Sequence, residues 1–136
     1  MAVQTYLAAR LFDGTGNTEI NDAFIQVEDG TITNVGRKAD LGSAAATARD
    51  LGDATLLPDP INMHTHLTLS GSMQVLQDAL HDSYEVKMMR AVEHARQSIE
   101  SGVTTIRDCG TLNPIVFAIR EASRSLDRMS GPVVMS

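Results

Sequence analysis

The order of hydrophobic patterns in the second part of the chain constrains the fold more than any other feature. Residues 61–69 and 103–106 are short apolar stretches typical of strands, and residues 84–101 between them repeat apolar positions every three or four residues. A second helix is predicted to begin at Asn113, and residues 133–135 begin a third strand. Alternating strands and helices predict a parallel sheet with helical crossovers.

The first part of the chain has a different pattern, which is typical of antiparallel strands. Residues 3–11 alternate with a period of two, and residues 23–27 form a second predicted strand. The Asp-Gly pair at 29–30 predicts a tight hairpin turn, with a returning strand at 32–35. The alanine-rich stretch 37–49 is interpreted as a loop or a short helical turn.

The composition narrows the class of protein. A hydrophobic fraction of 43% is enough to build a core, and the formal net charge of −6 disfavours a nucleic-acid partner. Cys109 is the only cysteine, so the chain can form no internal disulfide and no cysteine zinc site. The sequence shows neither a signal peptide nor an apolar run of membrane-spanning length, so we expect a cytoplasmic protein without a membrane partner.

His64 and His66 are the strongest candidates for a functional site. They are two residues apart on a predicted strand, so their side chains project to the same side. Two neutral imidazoles on a rigid strand suit a divalent metal ion, although a catalytic zinc site needs about three protein ligands. No third ligand is obvious in the sequence. The alternative is a chance pair of surface histidines.

Several stretches, taken in order along the chain, resemble the amidohydrolase superfamily. They lie at residues 11–16 (LFDGTG), 27–32 (VEDGTI), 56–67 (LLPDPINMHTHL), 101–110 (SGVTTIRDCG) and 131–136 (GPVVMS). The stretch 101–110 is most similar to the imidazolonepropionase-related, prolidase-like subgroup. The chain departs from the family pattern at four positions, which are Asp59, Pro60, Asn62 and Val133.

The resemblance implies an α/β fold, namely the first strands and helices of a (β/α)8 TIM barrel after a small β-sandwich domain. Residues 1–57 would form part of the sandwich, and residues 58–136 would begin an incomplete barrel. It also implies a divalent metal cofactor, most simply one or two Zn²⁺ ions, with His64 and His66 as ligands. The implied reaction is attack of a metal-activated water on an amide-type C–N bond in a dipeptide, N-acyl amino acid, carbamate or urea.

The partners implied by this resemblance are a small-molecule substrate and the remainder of the barrel, supplied by a missing segment or by another chain. Members of the family often form homo-oligomers. We therefore expect this chain alone to be inactive, and the general base and remaining ligands stay unknown.

Two further residues are candidates for a pocket. Asp108 would lie at the carboxyl end of the second barrel strand, where it could line the pocket or orient a ligand; a helix cap or loop carboxylate is an equal alternative. His81 follows the first barrel strand in a predicted loop and could reach substrate, although a solvated loop histidine is the simpler interpretation. His94 is expected to be exposed on its helix.

Two other functions remain open. A deaminase or dechlorinase of aromatic heterocycles would agree with Asn62, while the stretch 101–110 favours amide hydrolysis. A non-catalytic metal-binding or assembly domain that folds alone is the third hypothesis. It predicts a monodisperse monomer in size-exclusion chromatography.

Overall fold

The structure is a computed structural model that describes residues 3–110, 113–125 and 133–135, without the side chains of residues 133 and 135. The chain divides into two compact units, Met1–Pro58 and Asp59–Ser136. Among the described residues, no helix combines the length and the apolar character needed to cross a membrane.

The first unit is built on one five-stranded sheet. Its strands are β1 (Gln4–Leu11), β2 (Ile20–Glu28), β3 (Thr31–Arg37), β4 (Arg49–Asp50) and β5 (Thr55–Leu56). The order is β3-β2-β1-β4, and β5 also pairs with β1. The two long pairs are antiparallel, whereas the short strands β4 and β5 run parallel to β1. The described strands of this unit lie in a single sheet, so the sandwich stays a prediction.

The hairpin predicted between β2 and β3 is confirmed. Asp29 and Gly30 have φ angles of 51° and 76°, which are the two consecutive positive values that a type I′ turn requires. The stretch after β3 forms two short 3-10 helices, Lys38–Asp40 and Gly42–Thr47, which agrees with the helical-turn interpretation. The sheet buries one set of small and apolar side chains, which are Leu7, Ala8, Leu11, Ala23 and Phe24.

The second unit has the predicted alternation of strands and helices. Its elements are β6 (Ile61–Thr65), α1 (Val75–His81), α2 (Tyr84–Glu100), β7 (Thr105–Asp108), α3 (Ile115–Ser125) and β8 (Val133–Met135). The three strands form a parallel sheet in the order β6-β7-β8. The predicted parallel arrangement is therefore confirmed. The resemblance at 131–136 lies partly outside the described residues.

The core of this unit lies between the sheet and the helices α2 and α3. Its buried members are Leu67, Ala91, Ala95, Ile106, Ile115, Val116, Ile119 and Val134. The apolar stripe predicted for α2, at Met88, Val92, Ala95 and Ile99, is only partly right, because Val92 is exposed while Ala91 is fully buried. Ala91 and Ala95 are the buried residues of α2 in this core, and their small side chains allow α2 to pack closely against the rest of the core.

Both predicted strand boundaries shift, and hydrogen bonds to neighbouring groups explain why. The strand predicted at 61–69 ends at Thr65, because the Leu67 amide donates to the Asp108 carboxylate and the Leu69 amide donates to the His66 carbonyl. The strand predicted at 103–106 begins at Thr105, because the preceding amides close the end of α2 in a Schellman motif.

The segment between β6 and α2 was expected to be a loop, but it contains the short helix α1. His81 is the last residue of that helix and is exposed, so its predicted loop position is wrong. Helix α1 carries two apolar side chains that remain largely exposed in this structure, Leu76 and Leu80, and the neighbouring Met73 is exposed as well. The four-residue spacing of Leu76 and Leu80 was the available signal for α1 in the sequence.

Candidate functional site

The structure brings His64 and His66 together at the carboxyl end of β6. His64 lies within the strand and is exposed, whereas His66 follows the last strand residue and is half-buried. Their Nε2 atoms are 3.2 Å apart, and the ring centroids are 5.1 Å apart with the planes at 74°. The two ring nitrogens therefore lie close together, and the side-by-side placement that their spacing predicts is observed.

The distance between these nitrogens suits a shared metal ion. A tetrahedral zinc site places histidine nitrogens about 2.0–2.1 Å from the ion, so two such ligands are about 3.3 Å apart. The observed 3.2 Å matches that separation. Imidazole nitrogens are ligands that zinc and several other divalent ions accept readily, so the donor chemistry fits as well.

A backbone carbonyl holds the other side of the His66 ring. His66 Nδ1 lies 3.1 Å from the Gly110 carbonyl oxygen. Because a carbonyl can only accept, Nδ1 carries the proton and a neutral ring keeps its lone pair on Nε2. Metal-binding histidines commonly have such a partner on the second nitrogen. Gly110 has a φ of 151°, a conformation that side chains disfavour, which explains glycine at this carbonyl.

Asp108 is the last residue of β7 and is buried, with 7% of its surface exposed. Its Oδ2 accepts from the Leu67 amide at 2.8 Å, and its Oδ1 accepts from the Gly110 amide at 3.0 Å. The carboxylate therefore joins the segment after β6 to the segment after β7. Asp108 does not line the cavity beside His66, so its contribution to the site is through these two hydrogen bonds.

Helix α2 also holds the segment that follows His66. His94 Nδ1 donates to the Leu67 carbonyl at 2.9 Å, and Arg90 donates to the Thr68 carbonyl at 3.0 Å. Arg90 is itself paired with Asp82 at 2.6 Å. The expected exposure of His94 is wrong, because its ring is half-buried against this backbone. The four-residue spacing of Arg90 and His94 was the available signal, since it places both on one helix face.

A cavity of about 420 Å³ lies between the end of β6 and α2. It is lined by Thr65, His66, Leu67, His94, Gln97, Ser98 and Ser101. His81 does not line it, so the structure does not bring that predicted pocket residue to this cavity. Within residues 3–110, 113–125 and 133–135, no three His, Cys, Asp or Glu side chains form a group that could hold a metal ion.

Known proteins provide an independent comparison for this geometry. No family model matches the sequence. An imidazolonepropionase from Ralstonia nicotianae is 42% identical over 69 residues, which are 49% of this chain and 17% of that protein. A 5-methylthioadenosine/S-adenosylhomocysteine deaminase from Nitratidesulfovibrio vulgaris is 36% identical over 63 residues, which are 45% of this chain and 14% of that protein.

Solved structures match nearly the whole chain. The crystal structure of a Xaa-Pro dipeptidase with bound methionine has a TM-score of 0.75 and 22% identity, covering 98% of this chain and 32% of its own. The crystal structure of an amidohydrolase has a TM-score of 0.70 and 26% identity, covering 96% of this chain and 30% of its own. These matches support the similarity to the amidohydrolase superfamily, and the chain corresponds to about a third of the length of these solved structures.

Proposed function

We propose that this chain is part of a metal-dependent hydrolase that cleaves amide-type C–N bonds in small molecules. The observation that carries the proposal is the 3.2 Å separation of the His64 and His66 Nε2 atoms, with His66 Nδ1 already engaged by Gly110. Both histidines could bind one ion through Nε2 without a change in the orientation of the His66 ring. The similarity to an imidazolonepropionase and to a Xaa-Pro dipeptidase structure supports the same reaction class.

The residues of this chain would hold and orient the metal. His64 and His66 would each donate an Nε2 lone pair, and the Gly110 carbonyl would keep the His66 proton on Nδ1. A divalent ion bound there, with Zn²⁺ the best chemical match, would polarise a carbonyl and lower the pKa of a bound water. The further ligands and the general base would come from the remainder of the protein, together with the rest of the proposed barrel.

Metal stoichiometry tests this proposal directly. We expect His64→Ala and His66→Ala, made separately in the protein that includes the remainder of the proposed barrel, each to lose at least one bound ion per chain, because each variant removes one of the two imidazole ligands. Inductively coupled plasma mass spectrometry of purified protein measures the ratio. His81→Ala is the matched control, since that histidine is exposed at the end of α1. Full occupancy in either site variant would contradict the proposal.

A deaminase of aromatic heterocycles is the second candidate, and two observations favour it. Asn62 occupies a position where the amide-hydrolysing pattern more often has Asp, and one relative is a 5-methylthioadenosine/S-adenosylhomocysteine deaminase. Parallel assays separate the two reactions: hydrolysis of dipeptides and N-acyl amino acids, against ammonia release from aminopurine nucleosides. Turnover only in the second assay would replace the amide-bond proposal.

A further inference from the structure

We propose that Asp108 is a positioning residue that sets the tautomer and orientation of the His66 ring. The metal-binding consequence rests on the proposed function, whereas the effect on the ring itself does not. Asp108 lies on β7 and His66 follows β6, so the proposal links two neighbouring strands of the parallel sheet.

The carboxylate of Asp108 is buried. A buried carboxylate is costly unless its oxygens accept hydrogen bonds, and here both do. Oδ2 accepts from the Leu67 amide at 2.8 Å and Oδ1 accepts from the Gly110 amide at 3.0 Å. Two donors facing two acceptor oxygens form a charge-assisted bridge that is stronger than neutral hydrogen bonds.

The bridge acts on His66 from two directions. The Leu67 amide is adjacent to His66 in the chain, so its bond fixes the backbone from which the ring projects. The Gly110 amide belongs to the same residue whose carbonyl accepts from His66 Nδ1 at 3.1 Å. One carboxylate therefore restrains both the backbone and the ring of His66, although it touches neither ring nitrogen.

The consequence is a defined tautomer. When Gly110 is held in place, the proton stays on His66 Nδ1 and the Nε2 lone pair faces His64. When Gly110 moves away, a neutral histidine can carry its proton on Nε2 instead, which removes the metal-binding lone pair. A loop carboxylate that only stabilises the fold would leave the distribution of this proton unchanged.

Nitrogen-15 NMR of this chain, labelled at its histidines, tests the inference in the absence of metal. At a pH where the ring is neutral, we expect wild-type His66 in the Nδ1–H form. We expect Asp108→Asn to give a mixture with the Nε2–H form, because an amide offers only one acceptor to the two backbone donors. Asp50→Asn is the matched control, since Asp50 Oδ1 accepts from the Gly52 amide at 2.8 Å in the same Asp-X-Gly arrangement, in the other unit.

Cobalt binding provides the second measurement. We expect Asp108→Asn to weaken Co²⁺ binding by about 10- to 100-fold, the usual effect of losing a partner that orients a metal ligand, and to change the visible absorption of the bound ion. Asp50→Asn should change neither. An Asp108→Asn protein that folds with unchanged tautomer and unchanged cobalt spectrum overturns the proposal.

The wild-type protein keeps the inference falsifiable if Asp108→Asn does not fold. Scalar couplings across hydrogen bonds should connect the Leu67 and Gly110 amide nitrogens to the Asp108 carboxyl carbon. Absence of both couplings, or His66 in the Nε2–H form, overturns it. If His66→Ala keeps full metal occupancy while the tautomer depends on Asp108, the proposed metal role fails and the positioning role stands.

Discussion

His94 illustrates how a single side chain can be misjudged from its neighbours in sequence. It stands near Arg90 and Arg96 on α2, which suggests a solvated face. In the structure its Nδ1 donates to the Leu67 carbonyl, while Arg96 faces solvent and pairs with Glu93 and Glu100. The difference arises because the partner of His94 is a backbone atom 27 residues away, and side-chain patterns carry no information about that atom.

The carboxylate of Glu93 provides a prediction at the same scale. Hydrogen bonds from Arg96, and then from Gln97, lower the pKa of Glu93 from 4.5 to about 2. A lowered pKa in the folded state stabilises the protein above pH 4.5, and this contribution is lost as the pH falls toward 2. We therefore expect Glu93→Gln to lower the Tm slightly at pH 7.

The pH dependence of that effect is the measurement. Thermal melts followed by circular dichroism should show the difference between Glu93→Gln and wild type shrinking between pH 4.5 and 2 and vanishing below. The effect should be small and should weaken in high salt, because the pair is exposed and screened. Glu28→Gln, on an exposed strand end, serves as the control. A difference that persists unchanged below pH 2 would contradict this assignment.

At the scale of elements, the pairing of β2 with β3 depends on a close approach. Gly36 lies opposite Phe24, and a Cβ placed on Gly36 would come within 2.9 Å of the Phe24 ring. Phe24 is buried in the sheet, with 3% of its surface exposed. The glycine at this position therefore reflects packing of an aromatic ring over the backbone.

We expect Gly36→Ala to destabilise the protein by about 1–3 kcal/mol, the usual cost of overpacking a buried contact. Urea denaturation followed by circular dichroism measures the free energy of unfolding. Asn34→Ala is the control on the same strand, because Asn34 is exposed and its side-chain amide donates to the Gln26 side chain. Equal stability of Gly36→Ala and wild type would mean that Phe24 can repack.

For the molecule as a whole, the described residues bring together only the two imidazole nitrogens of His64 and His66 as proposed metal ligands, and a catalytic zinc site needs about three protein ligands. We therefore expect these 136 residues by themselves to bind Zn²⁺ weakly and to hydrolyse no amide substrate. Equilibrium dialysis and a dipeptide assay measure the two properties. The His64→Ala variant is the control for non-specific binding. Tight binding of one ion per chain with turnover would show a complete site within this chain.

Much of the fold could be predicted because short-range patterns determine it. The turn at Asp29 and Gly30 needs only local backbone geometry, and the parallel sheet follows from alternating strands and helices. The end of α2 is also determined by local sequence, since Gly102, just after the helix, completes the Schellman motif. Helix α1 was not predicted, although Leu76 and Leu80 recur at helical spacing, because the helix has only seven residues and so offers a short pattern.

For the candidate site, the sequence by itself determined which nitrogens could converge. His64 and His66 are two residues apart, and extended backbone at that spacing puts both side chains on one side, although the strand itself ends at Thr65. Only the tertiary structure decided how they are held. Asp108 ends another strand more than forty residues away and Gly110 follows it, while His94 and Arg90 come from a helix. Hydrogen bonds between distant backbone and side-chain atoms exist only after the sheet and helices have packed, so no local pattern encodes them.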